Sequence, residues 1–220
     1  MDVRCFPHVI NIAVKYGLKH LTKLPDDVDI RDAPGWIPAA EALLNPENTA
    51  YFECLESDVV SAARKIVNTI RASDQRRETF QQIIKELNQT RENANKIPGL
   101  QLLRDVDTRW SSIFLMIDRL LLLSEELTHI QCDVLNDIRE FLSYPHAVQE
   151  ELSGEQTPTL SQVLPLYEQL ITNLTHAKED LPKISHAIDA TIEKLKEYVV
   201  RSRKNPVYIL AMGVYWFDLH

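Results

Sequence analysis

The sequence has little glycine, with only five glycines among its 220 residues. Leu, Ile, Glu and Gln are abundant instead, and all four are well tolerated in helices. A low glycine content together with many of these residues favours a helix-rich globular protein over a sheet sandwich. The composition therefore predicts an all-α, mainly helical fold.

A surplus of basic residues is also lacking. The chain has 24 Lys and Arg against 32 Asp and Glu, which gives a formal charge of −8. A protein that binds nucleic acid over its whole surface is normally basic, so strong, unspecific DNA binding by the whole chain is not expected. Two local basic clusters, Arg71–Arg77 and Arg201–Lys204, are interpreted as solvated helix ends in preference to phosphate sites, because cations are favoured in the last turn of a helix.

Cysteines and long apolar runs are scarce too. The three cysteines, Cys5, Cys54 and Cys132, are odd in number and far apart, which provides no disulfide framework and is typical of a reducing compartment. No apolar run reaches about 18 residues, the length expected of a membrane-spanning helix. The first residues carry no signal-peptide pattern. We therefore expect an intracellular protein with no membrane partner.

Helical spacing of apolar residues runs through most of the chain. The first helix should begin near Phe6, because Pro7 is tolerated only in a first turn, and Gly17 is typical of a helix C-terminus. The last long helix should start at Pro182. Pro145 should interrupt or kink an earlier helix.

Two helices in the middle of the chain have recognisable boundaries. Ser57 is a plausible N-cap for the first of them, and the second follows a break at Ala72-Ser73. The strongest apolar pattern then begins at Trp110 and extends to about Ile130.

The pattern divides the chain into four parts. Residues 1–22 hold the first helix, 23–56 are an irregular segment rich in Asp and Pro, 57–204 form a helical domain, and 205–220 are a divergent tail. The aspartates of the second part could bind a divalent cation, but the spacing of a calcium loop and its closing Glu are missing. We therefore expect no metal site there and interpret the segment as a solvated loop.

Arg109 and Trp110 form a pair suited to nucleic acid. A guanidinium can bind phosphate, and an indole face can stack on a base. The alternative is a Trp that fills a gap in the core, with its Arg neighbour in solvent.

Four segments, in order, resemble the hAT superfamily of DNA transposases and the proteins derived from them. Cys5 to Ile12 is similar to the family's Cys-x-x-His helix, and the sequence DVDTRWSS at 105–112 is similar to its Thr-Arg-Trp-Asn-Ser element. The other two similar segments are 65–80 and 205–212.

The resemblance implies an RNase H-like domain, of which residues 1–22 are a remnant, interrupted by a helical insertion, of which 57–204 form most. It also implies DNA cleavage and transfer by two aspartates and a glutamate that hold two metal ions about 3.5–4 Å apart. None of the acidic residues in this sequence matches those three positions. We therefore expect no enzyme activity, no catalytic residue and no cofactor, with Mg²⁺ or Mn²⁺ needed only by an intact family enzyme. The sequence is interpreted as a truncated or mis-predicted gene product.

The resemblance also assigns candidate site residues. Arg109 and Trp110 match the family's Arg-Trp pair, in which the Trp is implied to stack on a base at the cleaved DNA end. Cys5 and His8 match the Cys-x-x-His pair, which is implied to pack near the catalytic centre. A zinc half-site remains an alternative for Cys5 and His8, although two further ligands at usable spacing are missing, and so does a packed Cys beside a hydrogen-bonded His.

The predicted function is that of a non-catalytic fragment of a hAT-type transposase in the nucleus, with weak residual DNA contact. A second copy or the parent transposase is a further expected partner, and a small-molecule substrate is not. The alternative is a transposase-derived helical module that binds other proteins, which exposure of Tyr215, Trp216 and Phe217 would favour.

Overall fold

The computed structural model of the chain describes residues 6–23, 46–106, 108–123, 127–154 and 161–205. Within these ranges the mainly helical fold class is confirmed, and extended pairing is limited to one bridge between Val106 and Arg109. No helix in these ranges is both long enough and apolar enough to cross a membrane. The helices are α1 (Phe6–His20), α2 (Pro46–Glu56), α3 (Val59–Ile70), α4 (Asp74–Leu87), α5 (Trp110–Leu123), α6 (His129–Gly154), α7 (Val163–Asp180) and α8 (Ser185–Arg203).

The chain divides into two compact units. Unit 1 consists of Met1–Ala42 and Glu140–His220, and unit 2 is Leu43–Arg139. This division differs from the predicted one, in which residues 1–22 stood apart from a single helical domain over 57–204. The first helix belongs to the same unit as the two last helices, because their apolar faces cover one another.

Unit 1 is built on the packing of α1 against α8, with α7 on α8 as well. The start of α1 at Phe6 is confirmed, and the Phe6 ring stacks on Tyr167 at a centroid distance of 4.7 Å. The predicted end at Gly17 is wrong, since α1 continues to His20. Gly17 is instead a contact point, because a Cβ placed there would lie 1.9 Å from the Thr191 Oγ1 atom.

The last helix of unit 1 follows the prediction closely. Helical structure begins at the expected Pro182 as a short 3-10 turn, Pro182–Ile184, and α8 itself begins three residues later, at Ser185. Apolar residues spaced three to four positions apart form a buried stripe here, at Ile184, Ile188, Ile192, Leu195 and Val199.

The first described helix of unit 2 lies in a segment whose Asp- and Pro-rich sequence predicts a loop. Residues 46–56 form α2, and the expectation of a loop over 23–56 is therefore wrong for this part, while 24–45 lie outside the described residues. Pro46 stands at the first helical position, where its fixed φ angle suits the helix. The buried Tyr51 donates a hydrogen bond of 2.6 Å from its hydroxyl to Asp137 on α6.

Helix caps in unit 2 agree with the sequence in one case and shift by one residue in another. Asp58, at a φ of 56°, caps α3 by accepting a hydrogen bond from the Ser61 amide, so the predicted cap at Ser57 is wrong by one position. Ser73 caps α4 at the predicted break by accepting from the Arg76 amide. Pro145 lies inside α6, which continues to Gly154 without interruption.

Candidate nucleic-acid interface

Trp110 is the first residue of α5, and its side chain is buried, with 1% of its surface exposed. Ile113, Ile117 and Leu120 continue the buried face along the same helix. An indole at this depth presents no face to a base in this conformation. The structure thus supports the alternative in which Trp110 fills the core of unit 2.

Arg109 lies one residue before α5 and is exposed. Its backbone amide donates to the Val106 carbonyl at 2.8 Å, and the Ser112 hydroxyl fixes the same turn. That hydroxyl accepts from the Val106 amide at 2.7 Å and lies 2.6 Å from the Arg109 carbonyl oxygen. The guanidinium of Arg109 makes no hydrogen bond or ion pair with the residues that the structure describes. The Arg109 guanidinium therefore extends from a hydrogen-bonded turn and is available to bind an anion.

The segment before this turn is held by an ion pair. The Nε atom of Arg64 on α3 lies 2.7 Å from the Asp105 carboxylate, whose side chain is only 5% exposed. A buried carboxylate needs such a partner, because an unpaired charge in the interior is costly. Asp105 therefore anchors the 101–106 segment on α3, and Arg64 compensates its negative charge.

Five arginines of unit 2 surround the end of α3 and the segment that packs on it. We call them the arginine cluster. Their guanidinium groups donate mainly to backbone carbonyl oxygens, which are neutral, and so they keep their full charge. The members are Arg71, Arg76, Arg77, Arg104 and Arg119.

Three members lie at the C-terminal end of α3. Arg76 donates to the Thr69 carbonyl at 3.1 Å. Arg104 and Arg77 both donate to the Arg71 carbonyl, at 2.6 Å and 3.4 Å. Cations are favoured at this end of a helix, where unpaired carbonyl groups carry partial negative charge. The expectation that basic residues near Arg71 to Arg77 mark a helix end agrees with this geometry.

The remaining members attach to the 101–102 backbone. Arg71 donates to the Leu102 carbonyl at 2.6 Å and lies 3.3 Å from the side-chain oxygen of Gln101. Arg119 on α5 donates to the Gln101 carbonyl at 3.0 Å. Sequence reasoning missed Arg104 and Arg119, because only the folding of the 101–106 segment onto α3 brings them to Arg71.

The charge of this cluster is largely uncompensated. Arg77 pairs with Asp74, whereas the other four make no ion pair with any carboxylate in the part of the chain that the structure describes. The sequence shows the same bias, since residues 58–123 contain eleven Lys and Arg against eight Asp and Glu in a chain with a net charge of −8. The surplus of positive charge is therefore confined to residues 58–123, the part of unit 2 that includes Arg109.

The Cys5 and His8 pair cannot be built from this structure, because Cys5 lies outside the described residues. His8 is exposed on α1. Among the described residues, no group of three or more His, Cys, Asp or Glu side chains is arranged to hold a metal ion. Cys54 and Cys132 are free thiols whose pKa is raised by burial, which disfavours the reactive thiolate.

Comparison with known families places unit 2 in context. Residues 53–144 match the family model of the ZBED1 RNase-like helical domain. The match covers less than half of the chain and lies almost wholly within unit 2, from the end of α2 into α6. It supports the resemblance to hAT-type proteins over this segment. No curated protein and no solved structure matches the chain.

Proposed function

We propose that this chain is a non-catalytic protein derived from a hAT-type transposase, and that its unit 2 makes a weak contact with DNA through Arg109. The exposed Arg109 guanidinium on a fixed turn is the observation that carries the proposal. The match over 53–144 and the local surplus of Lys and Arg support it.

Trp110 has a supporting role in this proposal. Its buried side chain anchors the first turn of α5, and that turn sets the direction in which Arg109 leaves the backbone. The base-stacking role implied by the resemblance is therefore replaced by a phosphate contact from Arg109 alone. DNA contact also implies a nuclear location, which cell fractionation can test.

The absence of nuclease activity is part of the proposal. It is supported by the sequence, in which no acidic residue matches the catalytic Asp, Asp and Glu positions of the resembled family. Incubation of the chain with labelled hairpin and duplex DNA in Mg²⁺ and in Mn²⁺ should leave the DNA intact. Metal-dependent cleavage that copurifies with the chain through two columns would overturn this part.

The DNA contact is tested by fluorescence anisotropy with a labelled duplex and a labelled hairpin. Replacing Arg109 by Ala should weaken binding by roughly three- to tenfold, because one phosphate contact is lost. Arg201→Ala removes the same charge from unit 1 and serves as the matched control. Equal affinities for the Arg109 variant and the unchanged chain would contradict the proposal.

A second candidate function, a protein-binding module, is favoured by one face of α5. Leu115 and Leu122, seven residues apart and therefore on the same side of the helix, are 42% and 48% exposed. Large apolar side chains exposed together are typical of contact surfaces. Light scattering should then show a concentration-dependent oligomer that Leu122→Glu abolishes. Tyr215, Trp216 and Phe217, which the sequence singled out for this role, lie outside the described residues.

A further inference from the structure

The arginine cluster brings like charges closer together than a helix end requires. The Arg71 carbonyl oxygen accepts from both Arg104 and Arg77. The two guanidinium groups therefore converge on one oxygen atom. Like charges that converge on one atom repel each other, so a bound anion would stabilise this arrangement.

The counter-charge within the described residues is incomplete. Asp74 forms an ion pair with Arg77. Arg76 and Arg104 are both exposed and form no ion pair with a described carboxylate. A guanidinium carries five N–H donors, and each of these two side chains uses one of them on a carbonyl oxygen. The remaining donors are available to an external anion.

The cluster draws its members from the end of α3, the first turns of α4, the 101–104 segment and α5. Guanidinium groups bind phosphate oxygens through two parallel N–H donors. Several such groups within one unit can bind successive phosphates of a nucleic-acid backbone.

We propose that the arginine cluster binds the phosphodiester backbone of nucleic acid, without reading its sequence, in addition to the contact made by Arg109. This inference rests on the proposed function, because it names a second contact of the same unit with the same ligand. Arg71 has a positioning role, since its side chain holds the 101–102 backbone that places Arg104. Arg76 and Arg104 touch the ligand.

The test measures the affinity of the full chain for a labelled duplex over a series of salt concentrations. The double variant Arg76→Gln with Arg104→Gln should reduce the slope of log K against log salt by about 2, because each lost phosphate contact removes about 0.9. At one fixed low salt concentration its affinity should fall about tenfold. A matched double variant, Arg91→Gln with Arg201→Gln, removes the same charge outside the cluster and should change the slope by less than half as much.

Thermal unfolding shows whether each variant is folded. If the double variant unfolds, the single variant Arg76→Gln decides, since the Arg76 side chain is exposed and its one described hydrogen bond is to a helix-end carbonyl. Its slope should fall by about 1. An unchanged slope in a folded variant overturns the inference.

Two further outcomes separate this inference from the proposed function. DNA binding that weakens with Arg109→Ala but keeps its salt slope in the cluster variants leaves the proposed function standing and refutes the cluster. In a parallel measurement, inorganic tripolyphosphate is added to the unchanged chain and its thermal unfolding is followed. Stabilisation by tripolyphosphate without any DNA binding would refute both the proposed function and the assignment of the cluster to a phosphodiester backbone.

Discussion

Gly17 lies directly against α8 in unit 1. A Cβ at this position would lie 1.9 Å from the Thr191 Oγ1 atom and 2.8 Å from the Ala187 carbonyl oxygen, and Thr191 is fully buried. Neither neighbour can move freely, because the Thr191 hydroxyl already donates to that same carbonyl at 3.0 Å. A residue that looks like a helix stop in the sequence is therefore required by packing.

Replacing Gly17 by Ala should lower the free energy of unfolding by about 1–3 kcal/mol, because the added methyl group forces the two helices apart. Gly99→Ala is the control, since a Cβ there meets no atom within 4 Å. Urea titration followed by circular dichroism measures both. Equal urea midpoints for the two variants would show that the methyl group added at Gly17 does not weaken the packing of α1 on α8.

His186 on α8 gives unit 1 a dependence on pH. Burial lowers the pKa of His186 below its ordinary value of 6.5, and the backbone of Leu21 and His20 offsets part of this effect. The neutral form is thus favoured in the folded chain. Above pH 6.5 His186 is mainly neutral in both the folded and the unfolded chain and leaves the free energy of unfolding unchanged. Below pH 6.5 the unfolded chain binds the proton more readily than the folded chain does, which lowers the free energy of unfolding.

The free energy of unfolding should accordingly decrease as the pH falls from 7 to 5, and His186→Gln should make this decrease smaller. His176→Gln, which replaces an exposed histidine on α7, should leave it unchanged. Denaturant titrations at several pH values provide the measurement. A pH profile that His186→Gln does not alter would contradict the assigned effect of burial.

At the scale of single elements, capping residues determine where the helices of unit 2 begin. The Ser73 hydroxyl accepts from the Arg76 amide at 3.3 Å and satisfies one of the free amides in the first turn of α4. The cap also fixes the start of the helix that carries Arg76 and Arg77.

Ser73→Ala should destabilise unit 2 by about 1 kcal/mol, because the amide loses its acceptor. Thr79→Ala in the interior of the same helix should cost less or add stability, since the exposed Thr79 only donates back to the Gln75 carbonyl and Ala is the better helix former. Thermal melts of both variants compare the two positions. A larger loss for Thr79→Ala than for Ser73→Ala would contradict the capping role.

Periodicity predicted the elements better than local stop signals did. The buried stripe of α8 and the break before α4 follow directly from residue spacing, which is a local property of the chain. The misplaced end of α1 and the missed helix α2 have another cause. Gly17 and Pro46 each fit two local structures, and the packing partner decides between them.

The candidate site depends even more strongly than the helices on contacts between distant parts of the chain. Arg109 could be singled out because its neighbours form a recognisable motif, whereas exposure of Arg109 and burial of Trp110 depend on the core around α5. Arg104 and Arg119 join the arginine cluster only through contacts between segments that are far apart in the chain. Neither composition nor spacing carries that information.

At the scale of the whole molecule, the basic part of the chain lies inside the family match. The basic surplus lies within residues 58–123, and the match to the ZBED1 RNase-like helical domain covers 53–144. The rest of the chain is strongly acidic, which keeps unspecific attraction to DNA low for the chain as a whole. DNA contact should therefore be local and sensitive to salt.

Hydrogen–deuterium exchange of the full chain, with and without a saturating duplex at low salt, tests the location of this contact most directly. We expect slower exchange on DNA binding in the segments around 69–77 and 101–112, and little change in α7 and α8. Exchange that is unaltered in those two segments, or that slows only in α7 and α8, would contradict the proposed DNA contact.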